Sequence, residues 1–319
     1  MTRRFRWGLA VSVGVLTAFL AYAAGGGDMG WPIQAARDII AGRDPYAQPL
    51  VDETGQLWPT NPVTTIMLFL PLAWAPDTVL AAIVFGGISG LLAFGLTREG
   101  ALWPLLTFAS PAYISCLINA QWAPLVLATF YLPNLLPLAL VKPSIALPVL
   151  LTRLNLKRGL GCVAIVVVSF ILCPWWWPAD WLSPSMTVYT GFTPILTVPG
   201  FLVLLALVRW RDKRAWILVL AALVPQRIPY DQLLLWLIPQ NAKRSLILSA
   251  SLVIAYGVRK TTNWDTETLI VVFGYLVCLA FVVWPPASEG KVETEKRMGR
   301  QRLRFARPSR KPMSAPDSR

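Results

Sequence analysis

The sequence contains no histidine and few charged residues. Of its 319 residues, 14% are charged and 55% are hydrophobic, whereas soluble globular domains are typically about 25% charged. The absence of histidine excludes His-based catalytic triads, histidine metal sites and histidine acid/base chemistry. Any proton transfer must therefore use a carboxylate, lysine, tyrosine or water, and the composition favours a membrane protein over a soluble domain.

Cysteine is scarce as well, with four residues and no CxxC pair. Cys162 and Cys173 would be about 16 Å apart along one helix, which is too far for a disulfide. Carboxylate pairs with metal-site spacing lack other ligands nearby, so we expect no bound metal and no cofactor. We interpret all four cysteines as small packing residues. The four are Cys116, Cys162, Cys173 and Cys278.

Long apolar runs fill most of the chain. At roughly 20 to 25 residues per span, residues 1–287 have room for about ten to twelve transmembrane helices. The predicted fold class is an all-α polytopic membrane protein with one transmembrane domain over 1–287. The apolar runs cover approximately 7–24, 62–75, 78–97, 101–118, 122–133, 134–152, 159–173, 198–209, 214–229, 231–240, 244–258 and 267–285.

The C-terminal segment 288–319 is polar and basic, with ten Lys and Arg residues against four acidic ones. It has almost no large apolar residues, a composition typical of disorder. The net charge of +13 for the whole chain could indicate nucleic-acid binding. We instead expect the tail to lie against anionic lipid headgroups at the cytoplasmic surface of the membrane, and we expect no nucleic-acid partner.

Basic residues predict the topology. Arg3, Arg4 and Arg6 precede the first apolar run and favour a cytoplasmic N-terminus, although Ala21-Tyr22-Ala23 also resembles a signal-peptidase site. Twelve crossings would place both termini in the cytoplasm and two long connections, 25–61 and 174–197, outside the plasma membrane. Arg98 and the Arg259/Lys260 pair are then basic residues on the outer side, contrary to the general rule.

The first outer loop holds the most informative residues. Pro32 and Gly42 suit the start and stop of a short helix over 32–41. Ile33, Ala36 and Ile40 share one face of it, which predicts a helix lying on the membrane surface. Asp28 stands immediately before this helix, where a carboxylate serves equally well as an N-cap or as a general base.

Five short segments resemble the family 87 glycosyltransferases of the GT-C superfamily, which are membrane enzymes that use polyprenyl-phosphate-linked sugars. The resemblance extends over roughly residues 5 to 240 and depends on the order of its motifs. These are Asp28 to Tyr46, then Trp58-Pro59-Thr60-Asn61-Pro62 with Leu70-Pro71-Leu72, then Ala120-Gln121, then Leu140-Val141-Lys142-Pro143, then Val224 to Asp231. Ala120 replaces the family's Gly, and the histidine often found in the last segment is absent.

The resemblance implies that Asp28 is the catalytic base, which deprotonates an acceptor hydroxyl as it attacks the anomeric carbon with inversion. The donor would be a polyprenyl phosphate sugar, plausibly mannose, used in building the cell envelope at the outer face of the membrane. The leaving phosphate needs a cation nearby. We predict substrate-binding roles for Lys142, Arg227, Gln121, Tyr46 and Asp231.

Each of these residues has a simpler interpretation. Lys142 lies in the apolar run Leu135–Leu151, where it could snorkel or form an ion pair instead. Arg227 could pair with Asp231 at the membrane interface, and Gln121 could be an ordinary polar turn residue.

Two other functions remain open from the sequence. A transporter or lipid flippase would also be polytopic and could also use Lys142 within the membrane. A non-catalytic membrane scaffold could act through the basic tail.

Overall fold

A computed structural model describes residues 1–47, 61–188, 191–261 and 264–284. No β-strand occurs within these ranges, and one isolated bridge joins Phe192 to Gln226. The all-α fold class is therefore confirmed. The described residues up to Val282 form one compact unit. The predicted lipid-binding tail 288–319, and Trp58-Pro59-Thr60 of the first outer loop, lie outside the described residues.

The α-helices are α1 Arg3–Ala23, α2 Gly30–Ile40, α3 Val63–Ile66, α4 Asp77–Leu96, α5 Pro111–Ile118, α6 Ala123–Tyr131, α7 Pro143–Arg153, α8 Leu156–Leu172, α9 Trp177–Val188, α10 Lys213–Leu223, α11 Ala242–Thr261, α12 Thr266–Ile270 and α13 Val277–Val283. Short 3₁₀ helices join them at Gly27–Met29, Leu70–Leu72, Trp103–Ala109, Pro133–Val141, Pro194–Leu196, Gly200–Arg209 and Asp231–Leu237. A π-helical turn, Val271–Leu276, connects α12 to α13.

Within the described residues, three helical segments are long and apolar enough to cross a membrane, namely Arg3–Ala23, Asp77–Leu96 and Thr266–Val283. Helix α8 and the start of α9 make a fourth if the bent pair, with an angle of 96°, counts as one span. These helices support a membrane protein. Most of the other predicted runs form shorter helices, because prolines interrupt them and a proline supplies no backbone N–H.

Helices α1 and α4 pack closely through glycines. A Cβ placed on Gly86 would lie 2.6 Å from the Cβ of Ala18, and one on Gly90 would lie 2.9 Å from the carbonyl oxygen of Ala10. Small residues of this kind let two apolar helices approach at the backbone. Arg6, near the start of α1, donates through Nη2 to the Phe94 carbonyl near the end of α4 at 2.9 Å. The two helices are therefore antiparallel.

This pairing corrects the predicted position of Arg98. Run 62–75 contains a four-residue helix and a 3₁₀ turn rather than a span, since Pro62, Pro71 and Pro76 interrupt it. Among the described residues, no membrane-crossing helix therefore lies between Asp28 and α4. Arg98 follows α4 and lies at the same end of the protein as the N-terminus, so the two do not lie on opposite sides of the membrane as predicted.

Run 134–152 is not one span either. The 3₁₀ helix Pro133–Val141 runs toward Asp28, and α7 runs back in the opposite direction. At the end of α7, the guanidinium group of Arg153 lies over the ring of Phe130, 3.8 Å from the ring centroid. Lys142 occupies the reversal with φ −140° and ψ 76°, as expected for a residue before proline, which avoids the helical region. Lys142 therefore lies at a turn rather than in the middle of a span.

Candidate active site

Asp28 is held at the end of α1 by a run of three glycines. Gly25, Gly26 and Gly27 all have positive φ, between 53° and 83°, a conformation that other residues adopt only with strain. A Cβ on Gly27 would lie 2.3 Å from the carbonyl carbon of Asn119. The backbone N–H of Asp28 then donates to the Asn119 carbonyl at 3.0 Å. Only glycine at position 27 permits this approach.

Helix α2 confirms the short helix predicted at 32–41, with bounds Gly30–Ile40. Its face does not lie on lipid as predicted, because Ile33 and Ala36 are fully buried against the protein whereas Ile40 is exposed. Arg37 fastens α2 to the start of α4 with an ion pair to Asp77 at 2.5 Å. The periodicity of apolar residues identifies the helix face that is covered, but it does not tell whether lipid or protein covers that face. The assignment of this face to lipid was therefore wrong.

Polar residues of the same loop stabilise its conformation. Asp38 is buried and accepts two hydrogen bonds from Arg43, at 3.0 and 2.6 Å, and one from Gln34 at 3.2 Å. Asp44 accepts from the backbone N–H of Tyr46 at 2.9 Å. These carboxylates are therefore engaged in holding the loop, in contrast to Asp28.

Asp28 does not cap the helix that follows it. The N-cap residue of α2 is Met29, and no side chain makes the capping bond. The Asp28 carboxylate instead accepts a hydrogen bond from Nε2 of Gln121. The alternative of a purely capping role is thus wrong, and the carboxylate remains accessible.

Gln121 bridges two charged side chains. It is 4% exposed, and besides donating to Asp28 it accepts from Lys142 Nζ at 3.4 Å through Oε1. The turn that places it includes Ala120 with φ 46°. That left-handed conformation favours glycine, so the Gly that the resemblance leads one to expect would fit this backbone with less strain.

Lys142 and Asp231 form a buried ion pair. Lys142 Nζ lies 2.6 Å from Asp231 Oδ1, and the two side chains are 14% and 0% exposed. Lys142 Nζ also lies 4.7 Å from the centroid of the Tyr230 ring, within range of a cation–π interaction. The ion-pair interpretation of Lys142 is correct, and its partner is Asp231.

Asp231 also organises the segment that carries Arg227. Its second oxygen, Oδ2, accepts the backbone N–H of Arg227 at 2.9 Å. Asp231 therefore holds Lys142 with one oxygen and the Arg227 backbone with the other. The positive charge of Arg227 lowers the pKa of Asp28.

A cavity of about 110 Å³ joins these groups. Asp28, Gln121, Lys142 and Arg227 line it, so the structure brings together four of the six predicted site residues. The remaining lining residues include aromatic rings and small polar groups, and they are Asn61, Pro62, Trp122, Val141, Pro143, Ser144 and Trp181.

The other two predicted residues lie behind the cavity wall. Asp231 is fully buried and acts through Lys142 and Arg227, as described above. Tyr46 does not line the cavity; its hydroxyl donates to the Asn61 carbonyl at 3.0 Å, and its ring lies 5.8 Å from that of Trp31. Tyr46 thus positions the backbone of a lining residue.

Desolvation by neighbouring protein atoms raises the pKa of Asp28 above the usual value of 3.8. The charges of Arg227 and Lys142, and the hydrogen bond from Gln121, act in the opposite direction. Desolvation is the largest effect, so Asp28 is a stronger base than an ordinary aspartate.

Several residues of the site were missed in the sequence. Thr64 and Thr65 donate to the carbonyls of Leu140 and Val141 at 2.6 and 2.5 Å. These carbonyls end a 3₁₀ helix just before Pro143, where the chain supplies few N–H donors. A pair of threonines in the otherwise apolar run 62–75 was the available signal. Trp122 and Ser144 stand directly beside predicted residues and could have been found by proximity.

No group of three or more Cys, Asp or Glu side chains suited to a metal ion occurs in the part of the chain that the structure describes. The cavity instead offers one carboxylate and two cations around a space lined by aromatic rings. Comparison with protein-family models, curated proteins and solved structures gives no match.

Proposed function

We propose that the chain is an integral membrane glycosyltransferase that moves a sugar from a polyprenyl phosphate carrier to a lipid or glycan acceptor. The observation that carries this proposal is that the Asp28 carboxylate shares one cavity with Lys142 and Arg227. A carboxylate facing two cations across a small space suits a reaction in which a proton is removed at one point and a phosphate leaves at another.

Asp28 acts as the general base. It accepts the proton of the acceptor hydroxyl while the hydroxyl oxygen forms a bond to the anomeric carbon. Its raised pKa supports this role, because proton transfer is most efficient when the pKa of the base approaches the working pH. Gln121 fixes the carboxylate through a hydrogen bond and is a positioning residue.

Lys142 and Arg227 stabilise the leaving group. The bond between the anomeric carbon and the phosphate oxygen breaks, and the electron pair stays on the polyprenyl phosphate. Its negative charge develops beside Lys142, which Asp231 orients at 2.6 Å. Direct displacement of this kind inverts the configuration at the anomeric carbon.

The aromatic residues of the cavity suit a sugar. Trp122 and Trp181 line it together with Asn61 and Ser144, and aromatic faces with a few polar groups are common in sites for small polar ligands. The sugar is plausibly mannose.

The meeting of the family-like segments at one cavity also supports the proposal. All five of them supply a lining residue to the same cavity, namely Asp28, Asn61, Gln121, Lys142 and Arg227. Packing alone does not require five separate segments of the chain to meet at one small space.

The proposed enzyme is a GT-C-like helical bundle in the plasma membrane, with both termini in the cytoplasm. The cavity then opens at the outer face. The basic tail binds anionic headgroups at the inner face, and no cofactor takes part.

The test is to incubate membranes that contain the protein with radiolabelled polyprenyl phosphate sugars and to extract the glycolipids. We expect a labelled product whose formation depends on Asp28. If labelled donor crosses the membrane and no glycosidic product forms, the protein is a flippase or transporter instead.

A further inference from the structure

Three arginines meet at the end of the protein opposite Asp28. Arg98 follows α4, Arg153 ends α7, and Arg158 lies in the first turn of α8. We call these residues the arginine cluster. Arg98 donates to the Tyr131 carbonyl at 3.0 Å, and Arg158 donates to the Arg153 carbonyl at 2.6 Å. Carbonyl groups satisfy N–H donors but leave the positive charges in place.

The arginine cluster forms no ion pair with the described residues. Among the described residues, no carboxylate lies within 4.0 Å of any of the three guanidinium groups. The Nε of Arg153 is buried and has no hydrogen-bond partner. Burial lowers the pKa of Arg153, and the charges of Arg158 and Arg98 lower it further, against opposing effects from Tyr131 and Glu99. An anion placed here would relieve this repulsion.

Helix α8 adds to the positive field. Its first turn carries Lys157 and Arg158 and no acidic residue, although a helix N-terminus already bears a partial positive charge. Basic residues at a helix N-terminus destabilise the helix, and such unfavourable local arrangements are often found where a protein binds a ligand.

Exposed leucines continue directly from the arginine cluster. Leu154, Leu156 and Leu160 are 52%, 82% and 61% exposed. Cations beside exposed aliphatic side chains match a molecule that has a charged head and hydrocarbon chains.

We propose that the arginine cluster binds the phosphate headgroup of an anionic phospholipid, whose acyl chains lie along the exposed leucines at the start of α8. This site uses none of the residues that line the cavity at Asp28 and none of the basic tail. It fixes the position of the α7–α8 connection in the leaflet at this end, and it does not depend on glycosyl transfer.

The test uses native mass spectrometry of the full chain in neutral detergent, titrated with phosphatidylglycerol or phosphatidylcholine. The titration is carried out at about 0.3 M salt, because screening acts most on solvent-exposed charges. We expect wild type to prefer phosphatidylglycerol, and we expect Arg153→Gln and Arg158→Gln each to weaken that binding about fivefold. The double variant should lose about twentyfold.

Two controls separate charge from folding and lipid from free anion. Lys260→Gln removes an exposed charge elsewhere and should bind like wild type, and Arg153→Lys keeps the charge and should stay within about twofold. Arg158→Gln keeps the test decisive if Arg153→Gln does not fold, because Arg158 is partly exposed. Inorganic phosphate should not displace the lipid. Unchanged binding in Arg158→Gln, equal affinity for phosphatidylcholine, or displacement by phosphate would each overturn the proposal.

Discussion

Lys142 and Asp231 are 89 positions apart in the sequence, and their side chains form an ion pair of 2.6 Å with both groups largely shielded from solvent. This pair joins the turn before α7 to the segment that carries Arg227. It also places the Lys142 ammonium group where Gln121 connects it to Asp28. The geometry of the whole cavity therefore depends on this pair.

Neutralising one member of the pair should cost more stability than replacing both. Lys142→Met leaves the Asp231 carboxylate buried without its partner, which typically costs about 3–5 kcal/mol. We expect the double variant Lys142→Met/Asp231→Leu to recover most of that loss in the apparent Tm of the detergent-solubilised protein. Donor use should stay impaired in the double variant and should be better in Lys142→Arg, which keeps the charge. A fully active double variant would remove the pair from the mechanism.

Gln121 should set the pH dependence of the reaction. Its hydrogen bond lowers the pKa of Asp28 and thus opposes the effect of burial. In Gln121→Ala that bond is lost, so the pKa of Asp28 rises further and the acidic limb of the pH–rate profile should move to higher pH. Gln121→Glu should move it further still, because a second carboxylate disfavours ionisation. An unshifted limb in both variants would contradict the assignment of Asp28 as the titrating base.

The glycine at position 27 should be irreplaceable. Gly27→Ala introduces a Cβ into backbone atoms of Asn119 at a residue with φ 53°, and we expect roughly 2 kcal/mol or more of lost stability together with displaced Asp28. Gly25→Ala, which has φ 83° but nothing within 4 Å of the added Cβ, isolates the conformational strain. Gly30→Ala, with ordinary φ and open space, should behave like wild type. Equal Tm values for all three variants would contradict the close contact with Asn119.

Much of the general architecture follows from the sequence. Apolar runs and the scarcity of charge predict an all-α membrane protein, and Pro32 with Gly42 predicts α2. The reversal at Lys142 was missed because hydropathy reads 134–152 as one continuous run, whereas Pro143 and the hydrogen bonds from Thr64 and Thr65 end one segment and begin another. Contacts between distant segments, such as Lys142 with Asp231, depend on tertiary packing that no local pattern encodes.

The topology can be tested with single cysteines in a variant that lacks the four native ones. A cysteine at Ala41, an exposed residue after α2, should react with an impermeant thiol reagent in intact cells. One at Glu99, an exposed residue after α4, should react only after lysis. Cysteines at Asp52 and Ser309 extend the test to positions outside the described residues, with Asp52 expected outside and Ser309 inside. Labelling at Glu99 in intact cells would place the cavity on the wrong side of the membrane.

The most direct test of the account is the rate of glycolipid synthesis by Asp28→Asn. The raised pKa of Asp28 means that the folded state binds its proton more tightly than the unfolded state does, so ionised Asp28 costs stability above that pKa and the cost disappears as the pH falls. Asp28→Asn carries no charge and should therefore be at least as stable as wild type at pH 7.

The amide cannot accept the proton of the acceptor, and loss of a general base typically lowers the rate by about 10²–10⁴-fold. Asp44→Asn, in the same loop, keeps an oxygen for the N–H of Tyr46 and should retain most activity. We predict a stable, well-expressed Asp28→Asn protein with almost no labelled glycolipid; near-normal synthesis by that protein would contradict the central claim.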